Sequence, residues 1–380
     1  MPLCDNPLWP CAMTGAVSCL AGFADIGVVI HGSSGCYFYP ASLLPNAVYG
    51  THLLENDIIF GSEERLREVL EEVRTRYRVI AVVTTCVPSI VGEDLLAIRK
   101  NSADIIVEAP GFLGDFETGY QTALKALCPV VDPVREGINI DGLNPIDPYY
   151  LGNLRETERL LSLCGLFPAT KFSADTYESV FHAAPYTLTT NPDLRSDIGN
   201  SLGSLLGLEG TKAGFVALSH HYPQVDINPV IEEINHAEER ITLVCDKFLL
   251  RNDPPSVLIF SGAPYALFAA RLLDRYLDAD IIAIGSRTSS PSTPYPLSRM
   301  VTFEEIKECI QREQPDLVLG SSYEQSVCED SAFVSFSFPM RGKILLRTRT
   351  IAGPEGTLSL LEEVLNSCMD RKKKVTQLGT

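Results

Sequence analysis

The chain has 380 residues, 45% apolar and 21% charged, with a formal net charge of −17. That composition excludes bulk disorder, collagen-like chains and long coiled coils. The negative surface repels phosphate backbones, so no nucleic-acid partner is expected.

No uncharged apolar run approaches the ~20 residues of a bilayer span, so no membrane segment is expected. The opening MPLCDNPLWP has neither a basic nor an apolar leader region, so no secretory signal is expected either. Eleven cysteines then point to a reducing, cytoplasmic setting, where thiols are buried, ligating or catalytic rather than paired. The acidity suits solubility or a docking surface for a protein partner; the only basic cluster is the short run Arg371–Lys374.

Short β-branched runs alternate with amphipathic stretches, which predicts an α/β chain of parallel sheets covered on both faces. In chain order the pattern predicts helix Ala12–Ala21, strand Ile26–Ile30, helix Glu63–Arg76, strand Val79–Val83, helix Leu95–Lys100, strand Asp104–Val107 and helix Thr118–Ala126. After the Pro-containing Cys128–Pro133 come strand Gly137–Ile140, helices Leu151–Leu163 and Leu194–Leu206, and strand Gly214–Leu218. The loop His220–Asn228 leads into helix Pro229–Leu249, strand Ser256–Phe260, helix Ala266–Leu277 and strand Asp280–Ile284. An aperiodic Ser/Thr/Pro-rich loop, Ser286–Ser298, precedes helix Phe303–Arg312, strands Asp316–Leu319 and Phe333–Phe336, and the terminal helix Thr357–Cys368. These breaks divide the chain into three α/β domains, 1–133, 134–226 and 227–350, with 351–380 a helix packing back on the body and a basic tail.

The chemistry concentrates in the first domain. Cys11 stands in PCAMTGA, Cys36 in HGSSGC and Cys86 in TTCVPSIVGED. If the strands before Cys36 and Cys86 share one parallel sheet, both thiols lie at its carboxyl edge, where ligands bind in open α/β sheets. Helix Ala12–Ala21 enters its strand through a short connection and so runs antiparallel to it, which brings Cys11 to the same edge. Thiolates suit iron–sulfur clusters and zinc, and the close CxxC pairs typical of zinc are missing. A helix N-terminus beside Cys11 favours a thiolate and an anionic cluster. The thiols are either metal ligands with a fourth position to be filled, or three separate buried groups. No phosphate-binding P-loop pattern occurs in the chain, so ATP hydrolysis by the chain itself is not expected.

The succession PCAMTGA, HGSSGC, ENDIIFGSEERL and TTCVPSIVGED resembles component 1 of nitrogenase and its relatives. Those relatives include the catalytic subunits, cofactor-assembly scaffolds, dark-operative protochlorophyllide reductases and the nickel-tetrapyrrole reductive cyclase. LGNLRETERLLSLCGL and GLEGTKAGF are similar to segments of that family's middle domain. The resemblance implies three Rossmann-like α/β/α domains around a central cleft. It implies that Cys11, Cys36 and Cys86 bind an iron–sulfur cluster, 4Fe–4S or larger, at an interface with a second component 1 chain, the same or homologous. It also implies electron delivery by an ATP-hydrolysing iron-protein reductase. Gly32 and Gly35 are expected to let the backbone turn beside the cluster. Cys4 and Cys19 are further ligand candidates, with Cys19 better placed as a core residue. Glu55 and Asp57 are expected to serve local structure.

The chain departs from nitrogenase where that enzyme ligates its active-site metallocluster through a Cys and a His. Ala183 and Ala184 stand near the first position and Met340 near the second, by alignment of VFHAAPYTLTTN and FVSFSFPMRG. Low-potential reduction of a tetrapyrrole fits those missing ligands best. A metallocluster assembly scaffold and a non-redox metal-chelate binding protein are the alternatives. His182 and Arg341 are the weak catalytic candidates, as groups facing the cleft, and His31 is expected to hydrogen-bond near the cluster. His220 and His221 are expected in a solvated loop; His52 and His236 look ordinary. Cys164, Cys245, Cys309, Cys328 and Cys368 are expected to serve packing.

Overall fold

The computed structural model describes residues 6–94, 104–289 and 292–378. Cys4 and the expected helix Leu95–Lys100 lie outside them. By its contacts the chain divides into two compact units: Met1–Asp147 with Pro168–Thr187 and Leu194–Ser201, and Pro148–Phe167 with Leu188–Asp193 and Leu202–Thr380.

The first unit begins with α1 (Ala12–Ala21), β1 (Ile26–His31), α2 (Ser34–Leu43), β2 (Tyr49–Gly50) and α3 (Glu55–Phe60). It continues through α4 (Glu63–Arg74), β3 (Val79–Thr84), α5 (Cys86–Val91), β4 (Ile105–Glu108) and α6 (Phe116–Ala126). The strands form one sheet in the order β2-β1-β3-β4, every pair parallel. Leu66, Leu70 and Val73 repeat at helical spacing along α4 and pack on Val29, Ile80 and Val82 of the sheet. Each such buried side chain stabilises the fold by ~1.5–3 kcal/mol.

α1 is buried at all ten positions and crosses α6 at backbone contact distance. A Cβ on Gly15 would lie 1.8 Å from the Phe116 carbonyl oxygen, and one on Gly119 would lie 1.7 Å from that of Ala12. Only glycines allow that crossing, and it fixes where α1 begins.

A second sheet holds β5 (Ile138–Asp141), β6 (Pro168–Lys171), β7 (Tyr186–Thr189) and β8 (Asn200–Ser204), in the order β6-β5-β7-β8. The boundary between the units falls inside β7 and β8. The expected helix Leu194–Leu206 is not formed. Gly199 and Gly203 adopt positive φ, 71° and 115°, which a right-handed helix forbids, and the segment becomes β8. The expected strand Gly214–Leu218 lies instead inside α8 (Gly207–His221). Its buried residues Gly207, Thr211, Gly214, Phe215 and Leu218 follow a period near 3.6 that outweighs the apolar run.

The second unit also contains α7 (Tyr150–Leu163), α9 (Asn228–Leu249), β9 (Ser256–Ser261), α10 (Ala263–Leu277), β10 (Asp280–Ser286) and β11 (Leu297–Arg299). The last strand overlaps the end of the stretch expected to be an irregular loop. Then come α11 (Phe303–Glu313), β12 (Leu317–Gly320), α12 (Ser322–Gln325), β13 (Ala332–Ser335) and α13 (Gly353–Leu378). Its five strands pair in parallel in the order β11-β10-β9-β12-β13. Among the described residues no helix is long and apolar enough to cross a membrane.

Candidate cluster-binding site

β1 and β3 pair in register from Ile26–Val79 to His31–Thr84, and β4 ends level with them at Glu108. Three chain segments therefore leave the same carboxyl edge side by side. The first carries Gly32 to Cys36, the second Thr85 and Cys86, the third Ala109 to Gly111. A Cβ on Gly32 would stand 2.0 Å from the Thr85 hydroxyl, so glycine there lets the first two segments touch. Gly35 is under no such constraint, since a Cβ there meets nothing within 4 Å.

Cys11 caps the N-terminus of α1, Cys36 sits in the first turn of α2 and Cys86 is the first residue of α5. Trp9 Nε1 donates to Glu117 Oε1 at 2.9 Å and the Ala12 amide to the Gly114 carbonyl at 3.0 Å, which anchors Cys11 beside the β4–α6 connection. The Gly111 amide donates to Cys86 Sγ at 3.1 Å. A Cβ built on Gly111 would lie 3.3 Å from Cys86 Sγ and 3.5 Å from Cys11 Sγ, so both sulfurs face one point.

Burial pushes the Cys36 thiol above its usual range, and the negative charges of Cys11 and Cys86 push it further. Hydrogen bonds from Ser33 and Thr85 oppose the rise. No lysine or arginine is among the groups that shift it. A half-buried Cys36 thiol whose ionisation is disfavoured beside two further half-buried thiols suits a cationic metal centre. Among the described residues no group of three or more His, Cys, Asp or Glu is arranged to hold a metal ion. By their chemistry alone, three thiolate donors suit iron–sulfur ligation.

Behind the cysteines lies a buried polar network that the sequence pattern did not reveal. His31 is fully buried. Its Nδ1 is 3.2 Å from Thr51 Oγ1, and its Nε2 is 2.7 Å from Glu93 Oε2 and 3.1 Å from Ser62 Oγ. Ser62 donates to the other Glu93 oxygen at 2.5 Å. Burial alone would raise the Glu93 carboxyl, but the hydrogen bonds from His31 and Ser62 and the charge of His31 hold it below its usual value. The network ties the end of β1 to the loop after β2, the start of α4 and the segment that follows α5.

Cys19 is fully buried inside α1, and burial raises its thiol strongly. Asp57 Oδ2 accepts from the Leu54 amide at 2.8 Å and so caps α3, while Glu55 is exposed. His182 and Arg341 are exposed, and neither has a side-chain hydrogen bond or ion pair among the described residues. Ala183 and Ala184 are fully buried, and Met340 Sδ lies 3.5 Å from Arg349 Nη1. His220 and His221 end α8 rather than lying in a loop, and both are exposed. Cys245 and Cys309 are buried on helices, as packing requires. No spacing or motif marks Gly111, Thr51, Ser62 or Glu93 as site residues. The one available signal was the glycine after Ala109–Pro110, just past an expected strand.

Parallel sheets with three cysteine-bearing segments leaving one carboxyl edge define an α/β protein with a candidate ligand site at that edge. The family model for nitrogenase component 1 type oxidoreductases matches residues 11–369, and the chain belongs to that family. The nitrogenase molybdenum-iron protein beta chain of Azotobacter vinelandii is 24% identical over 98% of this chain and 85% of its own length. The beta chain of Bradyrhizobium diazoefficiens is 33% identical, over 43% of this chain and 37% of that relative. The nitrogenase iron-molybdenum cofactor biosynthesis protein NifE of Clostridium pasteurianum is 22% identical over 83% of this chain and 78% of its own. A solved structure titled nitrogenase Cp1 at pH 6.5 superposes with a TM-score of 0.79 at 18% identity, covering 98% of this chain and 95% of that one.

Proposed function

We propose that the chain is the electron-accepting component of a cytoplasmic nitrogenase-like reductase, with Cys11, Cys36 and Cys86 holding an iron–sulfur cluster, 4Fe–4S or larger. When bound, such a cluster supplies one-electron redox chemistry. The chain's own residues supply the rest. The starts of α1 and α2 favour negative charge, the Gly111 amide donates to sulfur, and the His31–Glu93 network holds the segments in place. The observation that supports this reading is the pair of Cys11 and Cys86 sulfurs at Gly111, with Cys36 close enough to feel the charge of both.

Two partners belong to the proposal. Around the cysteine segments, Phe38, Ile59, Phe60, Ile90, Val91 and Leu113 are exposed, Phe60 to 85%. Apolar side chains so open to water suit protein docking. A second component 1 chain, the same or homologous, would cover part of that surface and complete the cluster's ligands, and an ATP-hydrolysing iron-protein reductase would deliver electrons. Gly32 would serve by close packing on Thr85 and Gly35 by leaving room beside Cys36. A tetrapyrrole is the substrate class proposed, since the sequence resemblance puts Ala183, Ala184 and Met340 near the positions of nitrogenase's metallocluster ligands.

The likeness to NifE over most of the chain supports a second reading, a scaffold that holds a precursor cluster. One experiment separates the two. Anaerobically purified protein is mixed with an iron-protein reductase and ATP, and the EPR spectrum is followed on adding a tetrapyrrole substrate. A reductase gives an ATP-dependent cluster signal that substrate then removes. A scaffold instead carries iron well above one four-iron unit per chain pair, and tetrapyrrole leaves its signal unchanged.

A further inference from the structure

Within the second unit, the end of β8, the first two turns of α8 and one side of α10 enclose a groove of about 410 Å³. That is within the size range of small-molecule sites. Its walls are mainly apolar, from Leu206, Leu208, Leu267, Phe268 and Leu272. Gly207 has a φ of 76°, and a Cβ there would meet the Phe268 ring at 3.2 Å, so α8 starts with bare backbone against that ring.

Two charged groups on the lining lack charged partners. The Asp193 carboxylate accepts from the Thr288 hydroxyl at 2.7 Å, and that hydroxyl accepts from the Ala263 amide at 2.8 Å, where α10 begins. Among the described residues no cation offsets Asp193, and burial pushes its carboxyl up to about 6. A mostly buried carboxylate facing an apolar groove gains most from a cationic hydrogen-bond donor. Arg271 is exposed on the same side of α10 and has no ion pair among the described residues. Arg275, one turn further, is already held by Glu209 and Glu238. From Ala263 to Arg271 the helix rises ~12 Å, at ~1.5 Å per residue.

We propose that this groove binds a small zwitterionic amphiphile, with an ammonium group at Asp193, an apolar body of about eight carbons along Leu267 and Phe268, and a carboxylate at Arg271. The inference is independent of the cluster: it uses only residues of the second unit. Calorimetry of the full chain at pH 7.5 and low salt tests it with 8-aminooctanoate, octanoate and octylamine as probes. The first binds at one site, at least ~10-fold more tightly than either single-ended probe, the size expected for one added ion pair out of bulk water. Asp193→Asn removes its advantage over octanoate, Arg271→Gln removes its advantage over octylamine, and Leu267→Trp fills the groove and abolishes binding. Should Leu267→Trp fail to fold, the exposed Arg271→Gln keeps the test decisive. Absence of saturable binding, equal affinity for all three probes, or affinities unchanged by Arg271→Gln would overturn the proposal.

Discussion

The amide of Gly111 donates to the sulfur of Cys86 at 3.1 Å, across 25 residues of sequence. That bond ties the loop after β4 to the start of α5, and the missing side chain leaves both Cys86 and Cys11 sulfurs uncovered. In Gly111→Val the added carbons crowd both thiols. The expected result is a loss of more than half the bound iron per chain with secondary structure retained, read by iron analysis and circular dichroism. Iron content equal to wild type would show that position 111 does not shape the site.

The α1–α6 crossing is expected to be among the least tolerant features of the first unit. Gly15→Ala places a carbon on the Phe116 carbonyl and should cost ~3 kcal/mol or more. Gly35→Ala adds a carbon to open space and should change stability by no more than ~0.5 kcal/mol. Urea unfolding of the two variants measures the contrast, and similar midpoints would contradict it.

Glu93 gives a pH-dependent prediction. Its carboxyl is held below the ordinary 4.5, so the folded state binds fewer protons than the unfolded state in that region. Its contribution is therefore present above pH ~4.5 and fades as pH falls through the lowered value. Glu93→Gln should destabilise the protein by ~1–2 kcal/mol at pH 7, with the deficit shrinking below pH ~4.5. A deficit constant from pH 7 to 4 would refute the ionised Glu93 pair.

Asp193 has the opposite sign. Burial raises it from 3.8 to about 6, so the folded state holds the proton longer and stability falls as pH rises through that window. Asp193→Asn should stabilise the chain by ~1–3 kcal/mol at pH 7.5 and by nothing below pH ~3.8. Thermal midpoints at the two pH values check both the sign and the window.

Asn153 accounts for the docking of the terminal helix. Its Oδ1 accepts from the Ile351 and Ala352 amides at 3.0 and 3.2 Å and from the Thr350 hydroxyl at 3.0 Å. The three residues directly ahead of α13 are thus held by one buried side chain on α7. Asn153→Ala takes the acceptor from the buried Ile351 amide, while Thr350 and Ala352 keep their bonds to each other, and should cost ~1–3 kcal/mol. Hydrogen exchange should speed up at Ile351 and Ala352 before it does in β9.

Much of this was legible in the sequence for physical reasons. α1 was read with its observed bounds, and β1, β3 and β9 to within a residue at one end, because each is an apolar run between clear turn signals. That the segments bearing Cys36 and Cys86 leave one edge of the sheet follows from chain direction alone, because a parallel sheet puts every strand's exit at one edge. Periodicity failed where glycines set the backbone, as at Gly199 and Gly203, and where an apolar run was helical, as at Gly214–Leu218. His31 was expected to bond near the cysteines. Its partners Thr51, Ser62 and Glu93 could not be foreseen, because they come from three loops that only the folded sheet assembles.

Iron and acid-labile sulfide per chain, measured on anaerobically purified protein, test the central claim most directly. The wild type and a Cys245→Ala control should carry both in similar amounts, and Cys11→Ala, Cys36→Ala and Cys86→Ala should each lose most of them. Equal iron and sulfide in all five proteins would contradict the assignment of these thiols as cluster ligands.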